Sequence, residues 1–306
     1  MNKETFEFRI FLSDGYVVKQ SVDVQSPKEL FERWYKNVNH RFYTNFQLIY
    51  MGEGEIPREY DTLMTQMNNW SRSLGGSEDY TAWWDTMKHG HVLIAGKDYM
   101  DSFYKYQIGI RGISHMLGRR FAPSDVIRGW SHDVDGEWLK YIEDNKSDWF
   151  LFMDSDTSAD IYFQHRRDTQ ELRYMLEFSG RQDNHFVFTV PESSQVNRML
   201  LHYLSGIIEV MAFKRGIILA KHITITDETL MPDDEEDTSM NIYQGMLVRI
   251  RKGKCKVDYY MYPTVDEMDW HRFNTEIIEQ RTKDVVKKMY EKVERIENNL
   301  EKCVRR

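Results

Sequence analysis

Cysteine is scarce in this chain: Cys255 and Cys303 are the only two among 306 residues. That excludes a disulfide framework and a cysteine-rich zinc site. Long apolar runs are missing too. No stretch approaches the ~18 residues that a membrane-spanning helix requires, so no contact with a membrane is expected. The opening Met1-Asn2-Lys3-Glu4-Thr5 lacks the apolar core of a signal peptide, and an intracellular protein is expected, cytoplasmic or, in a eukaryote, nuclear. Nor is positive charge in excess. With 41 Lys and Arg against 49 Asp and Glu the net charge is −8, which excludes coating nucleic acid by overall charge alone. Local basic patches remain, at Lys105/Arg111/Arg119/Arg120/Arg128, at Arg166/Arg167/Arg173 and at Arg249/Arg251/Lys252/Lys254/Lys256.

What is present is enough apolar side chain, 41% of residues, to bury a core in one or two domains of α+β type. Phe6 to Leu12 alternates before Asp14-Gly15, and Tyr16-Val17-Val18 resumes after it, a hairpin pattern. Pro27 opens a helical segment through Leu30, Phe31, Trp34 and Val38, with Ser26 as its cap. Phe46 to Tyr50 and Val92 to Gly96 read as strands, residues 58–90 as helices and a loop broken at Gly75-Gly76, and residues 100–145 as largely helical with a break at Pro123. Residues 192–215 carry Met199, Leu200, Tyr203, Leu204, Ile207 and Ile208 at helical spacing, so an amphipathic helix ending at Gly216 is expected there. From about Asp266 to Val304, Val286, Met289, Val293, Ile296, Leu300 and Cys303 form a heptad seam. That long helix can pack in cis, self-associate or dock a partner. His89-Gly90-His91 has two histidines but no third ligand nearby, and is read as structural.

The chemistry concentrates between residues 148 and 190. Trp149-Phe150-Leu151-Phe152-Met153 is an apolar run of strand length that ends in Asp154-Ser155-Asp156. Alternation along a strand turns Asp154 and Asp156 to one side, where like charges repel unless a cation sits between them. Hard oxygen ligands of this kind suit Mg²⁺ or Mn²⁺. Downstream, Leu176-Glu177-Phe178 and His185 to Val190 read as two short strands joined by a polar turn. That turn carries Ser179, Gly180, Arg181 and His185, a set of donors suited to phosphate oxygens. A carboxylate pair followed by a phosphate-reading hairpin points to nucleotide chemistry.

Phe150-Leu151-Phe152-Met153-Asp154-Ser155-Asp156 and Phe178-Ser179-Gly180-Arg181-Gln182-Asp183-Asn184-His185 resemble the first two motifs of the archaeo-eukaryotic primase superfamily. The family often has glycine two residues before the histidine, where this chain has Asp183. Ile223-Thr224-Ile225-Thr226-Asp227-Glu228 resembles the third motif, with Asp227 preferred to Asp237 as the last metal ligand. Met246 to Arg251 resembles the strand whose basic residue reads the triphosphate, and Arg249 is the better match. The resemblance covers roughly residues 100–265.

It implies a small α/β unit beside a sheet of RNA-recognition-motif type, with the active site in the cleft between them. It further implies a catalytic core at 96–265, after an N-terminal part at 1–95 of unknown role and before the helix at 266–306. Asp154, Asp156 and Asp227 would hold two divalent ions, while Ser179, Gly180, Arg181, His185 and Arg249 would bind the nucleotide. Many small primase subunits also carry a zinc knuckle, for which this chain has no ligand set. The expected activity is template-dependent synthesis of RNA or DNA primers on single-stranded DNA from NTPs or dNTPs, with a helicase or a primase large subunit as a partner. Two other readings stand beside it. Asp154-Ser155-Asp156 also fits a glycosyltransferase that holds a sugar nucleotide through Mn²⁺, and the chain could be an inactive homologue serving as a binding module of a replication complex.

Overall fold

The computed structural model describes residues 3–12, 15–38, 43–72, 79–87, 90–96, 99–119, 126–127, 148–152, 176, 183–190, 203–214, 216–225 and 256–264. All of them fall in one unit, Met1–Phe121 with Asp125–Thr264. The architecture is mixed helix and sheet: one antiparallel sheet of three strands and one mixed sheet of seven.

The first sheet follows from the hairpin pattern. β1 (Glu4–Leu12) pairs antiparallel with β2 (Val17–Val24) and, on its other side, with β3 (Tyr43–Tyr50). Phe6 and Phe8 alternate inward along β1 and are fully buried. Between β2 and β3 runs α1 (Pro27–Val38), capped as the sequence suggests. Ser26 Oγ accepts the Glu29 N–H at 3.2 Å, and the Glu29 carboxylate reaches back to accept the Gln25 N–H at 2.9 Å. Leu30, Phe31 and Trp34 bury the inner face of this helix.

Next comes α2 (Arg58–Arg72), which seals two sheet edges with amide side chains. Asn68 Oδ1 accepts the Leu48 N–H at 2.7 Å while its Nδ2 donates to Leu48 O at 3.1 Å, so one carboxamide satisfies the open edge of β3. Gln66 does the same for β10 (Lys256–Pro263): Nε2 donates to Tyr259 O at 2.8 Å, and Oε1 accepts the Met261 N–H at 2.7 Å. Each carboxamide thus stands in for a neighbouring strand, and the N-terminal sheet shares one core cluster with Ile217, Leu219, Tyr259 and Met261.

In the larger sheet the strand order is β10-β9-β8-β4-β7-β6-β5. Here β4 is His91–Ala95, β5 Val126–Ile127, β6 Trp149–Phe152, β7 His185–Val190, β8 Leu204–Lys214 and β9 Ile217–Thr224. From β8 through β4, β7 and β6 to β5 every pairing is parallel, whereas β8, β9 and β10 form an antiparallel ladder. α3 (Tyr80–Asp85) and α4 (Tyr99–Leu117) lie on one face. A Cβ placed on Gly206 of β8 would come within 2.5 Å of Trp83, so glycine there lets α3 lie close to the sheet. Trp84 Nε1 donates to the Tyr262 hydroxyl at 3.0 Å, and that hydroxyl donates in turn to His222 Nε2, also at 3.0 Å. These bonds fix α3 across β9 and β10.

The helix expected at 192–215 is corrected over its second half, where Leu204–Lys214 is the strand β8; residues 192–202 lie outside the described residues. Ile207 and Ile208 are fully buried, with β4 on one side and β9 on the other, and a stretch covered on both faces loses the alternation that marks strands in sequence. Gly216, expected to end a helix, has φ +86° and makes the two-residue turn from β8 into β9. Of the pair of strands expected around residues 176–190, β7 is present; Leu176 is helical, and Glu177 and Phe178 lie outside the described residues. The strands expected at 46–50, 92–96 and 149–153 are present within a residue or a few, and the one expected at 246–251 lies outside the described residues. The C-terminal helix expected at 266–306 lies outside the described residues. No helix among the described residues is long and apolar enough to cross a membrane.

Candidate functional site

Of the residues expected to carry the chemistry, His185 is described; Asp154, Asp156, Ser179, Gly180, Arg181, Asp227 and Arg249 lie outside the described residues. His185 opens β7, and its Cα partner in β6 is Trp149, while Phe188 pairs with Phe152. The two strands are parallel, so the chain leaves β6 toward Asp154 at the carboxyl edge of the sheet and enters β7 at the amino edge. At ~3.3 Å per residue those two levels are about 10 Å apart.

The His185 ring is built into that amino edge. It stacks on the Trp149 indole with centroids 4.6 Å apart and planes at 23°. Its Nδ1 donates to Gly90 O at 3.2 Å, and its Nε2 lies 3.5 Å from Asp183 Oδ1. The His185 side chain is only 10% exposed, whereas that of Asp183 is 70% exposed. Asp183 has φ +59°, a left-handed conformation that glycine adopts freely and aspartate tolerates. The position where the primase family often has glycine is therefore one whose backbone favours glycine.

Around this ring the amino edge is closed by hydrogen bonds. Asn184 Oδ1 accepts the Asp148 N–H at 3.0 Å, the His185 N–H donates to Asp148 O at 2.9 Å, and Arg119 sits 3.6 Å from the Asp148 carboxylate. His91, read from sequence as structural, is buried in the same layer. Its Nδ1 accepts the Phe186 N–H at 3.0 Å, which puts its own proton on Nε2. Burial, reinforced by the nearby His185, pushes the His91 pKa down to about 3. His89 lies outside the described residues.

At the opposite, carboxyl edge stands a residue that the sequence reading placed in a basic patch. Lys105 is fully buried, and its ammonium donates to Val190 O at 3.0 Å, the carbonyl that ends β7. The Gly96 N–H, just beyond β4, donates to the same carbonyl at 3.1 Å. Lys105, Gly109 and Gly112 follow one another at helical spacing along α4, and Gly109 abuts Leu151 of β6. A lysine on the same stripe as Gly109, which meets the sheet, and Gly112, which meets Trp84 of α3, was the signal for burial. One residue level beyond Ile208, Glu209 and Lys221 pair at 2.9 Å across β8 and β9. The carboxyl edge thus gathers a buried ammonium, the start of α4 after Gly96, and the strand end that leads to Asp154.

Among the described residues no group of three or more His, Cys, Asp or Glu side chains could hold a metal ion. No protein-family model matches the chain, and no curated protein matches it.

Proposed function

We propose that the chain is a divalent-metal-dependent enzyme acting on nucleoside triphosphates, and that its reaction is the template-dependent nucleotidyl transfer of a primase. The observation that carries this reading is the direction of β6. It runs parallel to β5 and β7, so Asp154-Ser155-Asp156 follows its carboxyl end. The crevice outside the carboxyl ends of parallel strands is where open α/β sheets bind their ligands.

In this reading Asp154, Asp156 and Asp227 hold Mg²⁺ or Mn²⁺. Bound there, the ions supply positive charge to the attacking primer oxygen and to the pyrophosphate that leaves. Ser179, Gly180, Arg181 and Arg249 bind the triphosphate and neutralise charge that develops on it. Four extended residues reach about 13 Å, so Ser179 can span the sheet from Asp183 toward the carboxyl edge. His185 is held by Trp149 and Gly90 at the amino edge, and its part is to fix where that segment begins. The superfamily's fold is part of the proposal: the β8–β9–β10 ladder answers to its antiparallel sheet, and the parallel strands extend beyond that sheet.

A second reading, hydrolysis of a nucleoside triphosphate without a template, is favoured by the strand arrangement itself. β4 lies inside the parallel set, Gly96-Lys97-Asp98 leads from it into α4, and the acidic pair follows β6, one strand removed. A phosphate-binding loop with its lysine before a helix and a metal-binding aspartate on a nearby strand is the layout of such enzymes. Against it, the turn from β4 into α4 has only three residues, and Asp98 stands where that loop has a serine or threonine hydroxyl.

The test is incubation with single-stranded DNA, Mg²⁺ or Mn²⁺ and nucleotides labelled at either the α- or the γ-phosphate. Primer synthesis moves the α-label into product that depends on template; plain hydrolysis releases the γ-label without one. Asp154→Asn and Asp156→Asn should reduce incorporation to background and abolish the rise in melting temperature with divalent ions. Asp227→Asn should behave likewise, and Asp237→Asn should remain active. If the Asp154 or Asp156 variant loses stability yet keeps the metal-induced shift, that carboxylate is structural and the reading fails.

A further inference from the structure

We propose that the chain dimerises through the outer edge of β2, two copies meeting antiparallel about Ser21 so that their three-stranded sheets join into one sheet. β2 ends the order β2-β1-β3, so its outer backbone groups face no strand among the described residues. Two other sheet ends are treated differently: Asn68 occupies the edge of β3, and Gln66 that of β10. On β2 the five residues Val17 to Ser21 are all exposed, and Val17 and Val18 remain 44% and 46% exposed. An exposed apolar edge of this kind is a template for pairing with another strand.

The charges on this edge select its occupant. A two-fold axis perpendicular to the joined sheet keeps each face on the same side, so a residue must pair with one an even number of positions away. Centred on Ser21, this pairing sets Lys19 opposite Asp23 of the second copy, and Asp23 opposite the second copy's Lys19. Two opposite-charge pairs form on one face. On the other face Val18 falls at the register level of the second copy's Val24, which is itself fully buried in its own core. Lys19 makes no ion pair among the described residues, and Asp23 uses one carboxylate oxygen to accept from Thr5 Oγ1 at 2.9 Å. Centring one residue earlier, on Gln20, would set Asp23 against Val17 and Lys19 against Ser21, with no charge paired. Charged residues that commonly guard an edge strand here match the same edge of another copy.

Sedimentation of the full chain across a wide concentration range tests this. The wild-type protein should show a reversible monomer–dimer equilibrium. Lys19→Asp and Asp23→Lys each place like charges opposite one another at both contacts and should weaken dimerisation about tenfold or more. The combined Lys19→Asp/Asp23→Lys exchange should restore it. Both positions are exposed, so circular dichroism should show all three variants folded. The proposal is overturned by a chain that stays monomeric at every concentration, which would leave the edge to another partner. A dimer indifferent to the single reversals also overturns it, because the contact would then lie elsewhere, as on the C-terminal heptad seam. A double exchange that is no tighter than the single variants does the same.

Discussion

The imidazole of His185 lies almost flat on the indole of Trp149, 4.6 Å centre to centre, and the two residues are register partners in adjacent parallel strands. This contact explains why the histidine of a Ser-Gly-Arg…His segment stays at the amino edge of the sheet. The ring is committed to an aromatic stack and a backbone carbonyl, and little of it is open to solvent.

His185→Ala should therefore act on stability before activity. Loss of the stack and of the bond to Gly90 O should cost about 1–3 kcal/mol, read as a lower urea midpoint. The KM for nucleotide should change less than twofold. A protein of unchanged stability with a KM raised tenfold would return His185 to the triphosphate.

Asp183 offers a test of backbone conformation. At φ +59° glycine is unstrained, aspartate tolerable and a β-branched residue poor. Its exposed pairing with His185 contributes little. The melting temperature should thus fall in the order Asp183→Gly at or above wild type, then wild type, then Asp183→Val, with the valine variant lower by about 1–2 kcal/mol in stability.

His91 predicts a loss of stability in acid. In the unfolded chain it titrates near the ordinary 6.5, in the folded protein only near 3, so between those values the unfolded state binds the extra proton. Its contribution is complete above 6.5 and declines by about 1.4 kcal/mol per pH unit as the pH falls toward 3. His222 is lowered by burial too and adds in the same direction. His91→Gln keeps an acceptor for the Phe186 N–H but does not titrate. Urea unfolding at a series of pH values should show this variant losing about 2 kcal/mol less than wild type between pH 6.5 and 4.5.

Gln66 is expected to protect the edge of β10. Gln66→Ala leaves the Tyr259 carbonyl and the Met261 N–H buried without their partner, at a cost of about 2–4 kcal/mol. Amide exchange should show Met261 losing protection. In Gln66→Glu the acceptor for Met261 survives, but an ionised carboxylate faces the Tyr259 carbonyl, so this variant should lose stability at neutral pH and recover part of it in mild acid.

Much of the local structure was legible because neighbours along the chain decide it. The β1–β2 hairpin followed from alternation around Asp14-Gly15, and the start of α1 from Ser26, Pro27 and Glu29. The apolar runs of β4, β6 and β7 could be seen because burial on both faces leaves few polar residues within a strand. The same double burial hid β8, whose Ile207 and Ile208 continue a spacing begun at Met199 and so pass for one face of a helix. Of the candidate site, the sequence supplied the residue types and their order.

The sequence by itself determined where chain direction changes and which segments are apolar enough to be strands, because turn chemistry and hydrophobic period act over a few residues. Only the tertiary structure decided that β6 and β7 run parallel, with His185 beside Trp149 at one edge and the way to Asp154 at the other. It also placed Lys105 beneath Val190 and set Gln66 against a strand 193 positions away. Strand partnership and direction are settled by which arrangement buries the most apolar surface while satisfying every backbone donor and acceptor. That is a property of the whole packed sheet, and no single stretch of the chain records it.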